Sequence, residues 1–271
     1  IFRIRGELDR EALARAFQEI IRRHENLRTV FPQEGDGPVQ AILDAMDAPL
    51  ETTDLGAEGG QAQAEEILRS EALKPFQLDR PPLLRAHLIG FGHNEHLLGL
   101  FMHHIISDGW SISILMRELT ACYEAFARDG VGPDLPELEI QYADYGLWQR
   151  EQFGKGALKQ QLDYWRRKLD APPALPDSHL DFPRPAMLSG RGEVTGFRIE
   201  SPLLEGVRAY CIERGATLFM FLCASLYLML RKWTGEEDLL IGTAAANRRR
   251  PQLERLIGLF VNTLALRVKA S

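Results

Sequence analysis

The chain has 271 residues, of which 45% are hydrophobic and 26% charged, and it carries a formal net charge of −6. That is room for one large or two ordinary globular domains. The acidic balance argues against a nucleic-acid footprint, which needs a clustered basic face; the short runs Arg166-Arg167-Lys168 and Arg248-Arg249-Arg250 are flanked by acids and read as solvated faces. The most apolar run, Leu218–Leu230, is shorter than the roughly 20 residues that cross a bilayer, and it reads as a buried core helix capped at Thr217. Cys122, Cys211 and Cys223 are odd in number, widely spaced and set in apolar helical patterns. They predict buried thiols in a reducing, cytoplasmic setting rather than a disulfide frame. The chain carries no signal-peptide pattern and opens and closes inside strand-like runs, so it is expected to be a piece of something longer.

In chain order, Ile1–Arg5 reads as a strand, and Asp9 caps a helix with the apolar face Leu13, Phe17, Ile20 and Ile21. Leu27-Arg28-Thr29-Val30-Phe31 alternates as a second strand. Gln33–Gly37 is a turn, residues 39–60 are loop-rich with a short strand, and a helix over Ala62–Leu73 ends at Pro75. Leu83–Gly90 and His96–His104 form a hairpin through the polar turn Gly92-His93-Asn94-Glu95. Ile112, Leu115, Met116, Leu119, Cys122 and Phe126 mark one face of the next helix. Tyr145 and Trp148 lie one helical turn apart, and an amphipathic helix is expected to continue through Leu158, Leu162 and Trp165 to Leu169. Prolines 172, 173, 176, 183 and 185 then mark a linker. Beyond it come a strand at Gly196–Glu200, a helix opened by Ser201-Pro202, the Thr217 helix, and a strand over Leu239–Thr243.

The chemistry is concentrated in Met102-His-His-Ile-Ile-Ser-Asp-Gly-Trp-Ser111. Neighbouring side chains of a strand point to opposite faces, so His103 and His104 should part, one toward a core and the other toward a cleft. Asp108 can fold back to fix the loop, Gly109 permits a tight turn, and Ser111 is a plausible N-cap of the helix that follows. An imidazole with an ordinary pKa of about 6.5, held on a structured loop, is a general-base layout. A metal site is not expected: His93, His96, His103 and His104 are not joined by a Cys or an HExxH pattern. His24, His87 and His179 read as packing or surface residues.

His103-His104-Ile105-Ile106-Ser107-Asp108-Gly109 is an HHxxxDG pattern, and the chain resembles the condensation domains of nonribosomal peptide synthetases, members of the chloramphenicol acetyltransferase-like superfamily. Three further stretches carry the resemblance in family order. Arg23-His-Glu-Asn-Leu-Arg-Thr-Val-Phe31 is similar to RHExLRTxF, and Tyr142-Ala-Asp144-Tyr-Gly-Leu-Trp148 to YxDYAxW. Ile241 to Thr263, through Asn247-Arg248 and Asn262-Thr263, is similar to the family's fifth motif. The resemblance implies an α/β fold with a mixed sheet in two lobes. An N-terminal lobe over 1–170 would be nearly complete, 171–186 would be a Pro-rich linker, and 187–271 would begin the C-terminal lobe. The resemblance further implies that the first motif and most of the second lobe would lie outside the 271 residues.

The resemblance also implies the activity: peptide (amide) bond formation between an upstream carrier-bound acyl or peptidyl thioester and a downstream carrier-bound aminoacyl amine. His104 would be catalytic, as general base or as a group that positions the amine. His103, Asp108, Gly109 and Arg28 would support the catalytic loop, with Arg28 either a surface residue or the ion-pair partner of Asp108. Arg23, Tyr142, Asp144, Trp148, Asn262 and Thr263 would shape or brace the channel. Because Asn262-Thr263 interrupts an apolar run, a buried polar role is expected for that pair. No cofactor is expected on the domain itself, since phosphopantetheine would arrive on the upstream and downstream peptidyl carrier domains, with an adenylation domain adjacent. Neither nucleic acid nor membrane is an expected partner. Two rivals stand beside this reading: an HHxxxDG acyltransferase using coenzyme A thioesters, and a non-catalytic domain that docks carriers.

Overall fold

The computed structural model describes residues 1–56, 60–156, 158–173, 181–183, 185–187, 189–190, 192 and 194–269. The chain divides into two compact units. The first comprises residues 1–157 and 246–262, the second 158–245 and 263–271. This differs from the boundaries expected at 170 and 187. The segment 246–262 returns to the first unit, and residues 158–170 belong to the second. Of the expected linker, residues 174–180 and 184 lie outside the described residues, and the described remainder carries no helix or strand.

The first unit is built on a four-stranded mixed sheet with the order β1-β8-β7-β6. Its members are β1 (Phe2–Arg5), β6 (Leu50–Asp54), β7 (Leu84–Phe91) and β8 (Glu95–Met102). β7 and β8 form the expected antiparallel hairpin, with Leu88 opposite Leu98. Gly92 and Asn94 both take positive φ in its turn, at 59° and 51°; glycine and asparagine tolerate that left-handed region best. β1 adds antiparallel to β8, and β6 parallel to β7.

Helix α1 (Arg10–Arg23) starts at Asp9, whose carboxylate accepts the Ala12 amide at 2.9 Å. It buries Leu13, Phe17, Ile20 and Ile21. These pack in one core with Leu84, Leu88 and Leu98 of the sheet and with Ile114, Leu115, Leu119 and Cys122 of helix α3 (Gly109–Asp129). Burial pushes the Cys122 thiol up to about 12, which makes it an inert packing group. Helix α2 (Gln61–Ala72) sets Ala64 and Leu68 against Ile89 and Leu97 of the sheet.

Several expectations change. Leu27–Phe31 is not an alternating strand. Glu25–Arg28 is a 3₁₀ turn, closed by the Leu27 amide on the His24 carbonyl at 3.0 Å, and only Thr29–Val30 (β2) pairs, with Ala41–Ile42 (β5). Gln33–Glu34 (β3) and Gly37–Pro38 (β4) make a small hairpin. The expected long helix is broken into α4 (Tyr142–Gly154) and α5 (Lys159–Lys168). Gly156, at φ 77°, supplies the left-handed residue that ends a helix.

The second unit holds α5, α6 (Ser201–Glu213), α7 (Leu218–Thr234) and the two-stranded sheet of β9 (Asp238–Ala245) and β10 (Asn262–Lys269). No strand forms at 196–200. Glu200, not Ser201, is the N-cap of α6, and Pro202 sits in its first turn. Thr217 caps α7 as expected, through the Met220 amide. Yet α7 is not a buried core helix. Only Tyr227 is buried, while Phe219, Met220, Leu228, Met229 and Trp233 are exposed. Two short strands and one neighbouring helix cannot surround a helix that is apolar on every side. No single described helix is long and apolar enough to cross a membrane. Arg267 ties this unit together. It grips Asp238 through Nε at 2.9 Å and donates to the carbonyls of Asp170 and Ala171 at 2.6 and 2.8 Å. The Arg267 guanidinium holds the Asp238 carboxyl down at about 2.

Gly99 of β8 is where α2 approaches the sheet. A Cβ there would lie 2.6 Å from Leu68 Cδ2 and 2.9 Å from Phe101 Cζ. Gly99→Ala is therefore expected to cost about 1–3 kcal/mol by overpacking. A urea midpoint unchanged from wild type would show instead that α2 yields.

Candidate active site

β8 ends at Met102, and the chain tightens at once into a 3₁₀ turn over His104–Ile106. Both histidines lie beyond the strand, so the alternation expected of them does not apply; they differ in burial because the turn begins between them. His103 is half-buried, its amide donates to the Leu83 carbonyl at 3.0 Å, and its Nδ1 accepts the Ile105 amide at 3.1 Å. Its ring stands edge-on to Phe76 at 6.0 Å. With Nδ1 accepting, the neutral ring carries its proton on Nε2. His104 is exposed, and no side chain among the described residues hydrogen-bonds to its ring. Its imidazole is open to an incoming group, while the backbone beneath it is held. Asn26, buried in the 3₁₀ turn after α1, donates from Nδ2 to the Ile106 carbonyl at 2.7 Å.

The far end of the turn is held by Asp108. It is the N-cap of α3, and Ser111 is not. Asp108 Oδ1 accepts the Ser111 amide at 2.9 Å and the Ser111 hydroxyl at 2.8 Å. Oδ2 accepts the Phe260 amide at 3.0 Å. The partner charge is Arg248, whose Nη2 lies 3.1 Å from Oδ1, with side-chain exposures of 1% for Arg248 and 2% for Asp108. Arg248 also donates to the carbonyls of Leu253 and Leu256, and its guanidinium carbon lies 4.0 Å from the Phe260 ring centroid. Ser111 Oγ completes the junction by accepting from Arg248 Nη2 and from the Gly258 amide, each at 3.0 Å.

This corrects two expectations. Arg28 does not pair with Asp108. The 3₁₀ turn points it to the Leu43 carbonyl and, at 3.6 Å, to Glu25. Nor is the Arg248–Arg250 run a solvated face throughout: Arg249 and Arg250 are exposed, but Arg248 is buried. Burial pushes the Asp108 carboxyl up. The Ser111 hydroxyl and amide, the Phe260 amide and the Arg248 charge together outweigh that push, and the acid is held below its ordinary value. Burial lowers the Arg248 guanidinium, against the pull of Asp108; an arginine remains a cation regardless.

A second buried charge cluster lies between α1 and α3. Glu118 accepts from Arg23 Nε at 3.1 Å and meets His24 Nε2 at 2.8 Å. Burial raises the Glu118 carboxyl, but the contacts with His24 and Arg23 bring it below its ordinary value. Arg23 is thus a brace between helices. Tyr142 donates to the Leu259 carbonyl at 2.8 Å and stacks edge-on against Phe260 at 5.1 Å. A Cβ on Gly258 would run into the Tyr142 ring. Asp144 accepts the Gln141 amide at 2.8 Å in the capping box of α4. Trp148 packs on Tyr145 at 5.9 Å, with Arg250 over its ring at 5.0 Å.

Three expected roles change. Asn262 and Thr263 are exposed at the start of β10, not buried. Gly109 is the first residue of α3 without a positive φ, and nothing lies within 4 Å of a Cβ built on it. It is not forced by the backbone. It borders a cavity of about 800 Å³, lined also by Trp110, Arg117, Glu118 and Arg255. His104 is not among the lining residues, so the cavity's size does not mark the imidazole. Sequence reasoning passed over Asn26, Ser111 as a ligand of the junction, Glu118 and the pairing role of Arg248. Arg248 was visible only as part of a quoted motif and a basic run.

An exposed imidazole on a turn anchored at both ends suits acid–base work in group transfer. The chain belongs to the condensation domain family, whose model, described as Condensation domain, matches residues 1–271. It is 42% identical to Chondramide synthase cmdD of Chondromyces crocatus over 98% of this chain and 7% of that protein. To Phosphinothricin tripeptide synthetase PhsC of Streptomyces viridochromogenes it is also 42% identical, over 98% of this chain and 25% of that one. Among solved structures it is similar to the SgcC5 protein from Streptomyces globisporus, with a TM-score of 0.78 and 30% identity over 98% of this chain and 60% of that one. The X-domain from teicoplanin biosynthesis matches with a TM-score of 0.86 and 28% identity, over 98% of this chain and 59% of that one. The fold is the mixed α/β, chloramphenicol acetyltransferase-like fold. The chain spans less than two thirds of each of these relatives.

Removing one member of a buried ion pair strands the other charge. Arg248→Met is expected to lower stability by about 3–5 kcal/mol in urea denaturation; a loss under about 1 kcal/mol would show that Asp108 finds other compensation. The pH dependence follows from the lowered carboxyls. Asp108 and Glu118 titrate below 3.8 and 4.5 in the folded chain, so their stabilisation is full above those unfolded values and is lost as pH falls through the folded ones. Asp108→Asn should be less stable near neutral pH and should lose less stability on acidification than wild type. Equal acid slopes for the two proteins would refute this assignment.

Proposed function

We propose that this chain is the histidine-bearing part of a condensation domain in a nonribosomal peptide synthetase, and that the complete domain joins two carrier-bound substrates through an amide bond. The observation that carries the reading is the exposed His104 imidazole on a turn locked by Asn26 and by the Asp108–Arg248 junction. The attacking group is the amine of an aminoacyl thioester on the downstream carrier. The electrophile, and so the acyl donor, is the thioester carbonyl on the upstream carrier. A C–N bond forms, the C–S bond breaks, and the upstream phosphopantetheine thiol leaves. An α-amino group of pKa about 8 is mostly protonated at neutral pH. His104 serves the reaction by accepting the amine's proton or by orienting the neutral amine with a hydrogen bond. Tethering both reactants supplies high effective concentration. The carrier domains and an adjacent adenylation domain are the partners, and phosphopantetheine comes with the carriers. Three unpaired cysteines suit a reducing, cytoplasmic setting.

A docking role is the competing reading. One similar solved structure is a complex of the X-domain and OxyB from teicoplanin biosynthesis. Single-turnover product formation by the full-length protein, with both carriers loaded, separates the two. His104→Ala is expected to cut the rate by about 10²–10⁴ with circular dichroism unchanged. Wild-type rates in that variant would remove His104 from the chemistry. No product from wild type, with carriers still bound, would favour docking. Turnover with coenzyme A thioesters in place of loaded carriers would point to the free-thioester acyltransferase.

A further inference from the structure

The histidines weighed as ligands in the sequence, His93, His96, His103 and His104, do not come together as a group. Among the described residues, another set does: Glu51, Glu71 and His87, whose ligand atoms all lie within 4.8 Å of one another. All three belong to the first unit. The parallel register of β6 and β7 sets Glu51 directly opposite His87, and Glu71 comes from the last turn of α2.

The imidazole gives the cluster its meaning. His87 Nε2 lies 2.9 Å from Thr53 Oγ1, two residues along β6 and so on the same face as Glu51. A proton on Nε2 donated to Thr53 leaves a lone pair on Nδ1. The His87 side chain is only 8% exposed, and Nδ1 is buried without a hydrogen-bond partner. It lies 4.0 Å from Glu51 Oε2. Glu71 has the Lys74 ammonium beside it, but a lone pair facing the Glu51 carboxylate is repelled unless a cation lies between them. A charge-assisted hydrogen bond from a protonated ring would close to about 2.7–2.9 Å. The wider gap is closer to the spacing of two ligands that share one ion at about 2.0–2.1 Å each. Glu51, 71% exposed, is free to close the remainder by rotation. With Nε2 as donor, the contact to Thr53 is the kind of outer-shell hydrogen bond that fixes a metal-binding tautomer.

We propose that Glu51, Glu71 and His87 form a binding site for a divalent ion of the zinc class, with water completing the coordination. One imidazole with carboxylates is a donor set that Zn²⁺ accepts. The ion would join β6, β7 and α2. Two nearby cations bear on the site. Arg85 turns its guanidinium to the carbonyls of Glu71 and Lys74 rather than to the carboxylates. Lys74 pairs directly with Glu71 Oε1 and is more than half exposed. Its ammonium competes with the ion for that carboxylate.

The test is a Zn²⁺ titration of the chelator-treated full chain, followed by calorimetry and by thermal unfolding. Because His87 is buried and His87→Ala could misfold, the exposed residues decide. Wild type should bind one equivalent and melt at a higher temperature with the metal. Glu51→Gln should weaken binding at least about tenfold, as loss of a ligand or its support does, and Lys74→Ala should tighten it. Wild type binding no Zn²⁺, or Glu51→Gln binding as wild type does, would overturn the site. So would weaker binding by Lys74→Ala.

Discussion

The buried pair between Asp108 and Arg248 is the constraint on which the rest of the first unit depends. Two opposite charges, each almost wholly removed from water, sit 3.1 Å apart. Such a pair is an expensive device, since desolvation can exceed the Coulombic gain. What makes it tolerable is saturation of the carboxylate. Asp108 accepts from the Ser111 amide, the Ser111 hydroxyl, the Phe260 amide and the guanidinium. The Arg248 guanidinium in turn satisfies the carbonyls of Leu253, Leu256 and Gly258. One ion pair therefore sets the start of α3, the course of residues 253–260 and the exit of the histidine turn. Stability is a poor explanation for so costly a junction; the fixed geometry of the turn is the better one.

The aromatic layer beside the junction extends that logic. Tyr142, Tyr145 and Phe260 pack ring against ring at 4.8–6.2 Å. Burial raises the phenols of Tyr142 and Tyr145, so both stay neutral. Each uses its oxygen structurally: Tyr142 donates to the Leu259 carbonyl, and Tyr145 accepts from Asn247 Nδ2. The close approach at Gly258 works only because that residue lacks a side chain. The motif that contains Tyr142, Asp144 and Trp148 is thus a brace for the returning segment.

Much of this was legible in the sequence because its signals were local. The α1 face, the β7–β8 hairpin and the cap at Thr217 all follow from periodicity, turn chemistry and capping. What failed was non-local. Arg28 and Arg248 are equally charged and equally motif-borne, and nothing in spacing says which of them reaches Asp108. The 3₁₀ turn at Glu25–Arg28 settles it by turning Arg28 toward Leu43. The polarity of Leu27–Phe31 alternates, but a 3₁₀ turn that ends at Arg28 fits the same polarity as well. The buried role expected of Asn262-Thr263 rested on hydropathy alone, and hydropathy does not reveal where a strand is covered. The α7 apolar run likewise marks a helix that wants burial without naming what supplies it.

The first unit is discontinuous in sequence: its final piece, 246–262, follows a long excursion through the second. Arg248 is 140 residues downstream of Asp108. On the ribosome, the sheet, α1 and α3 can assemble from residues already made, all drawn from the first 129 positions. The acid at the head of α3 must then wait as a lone charge while more than a hundred further residues are added. At a synthesis rate of about 5–20 residues per second, that delay lasts on the order of ten seconds. During it, the turn bearing His104 is held by Asn26 and by the Asp108 cap on Ser111, without the Arg248 charge or the Phe260 amide. The imidazole is therefore completed late in the birth of the chain, after most of its scaffold has condensed.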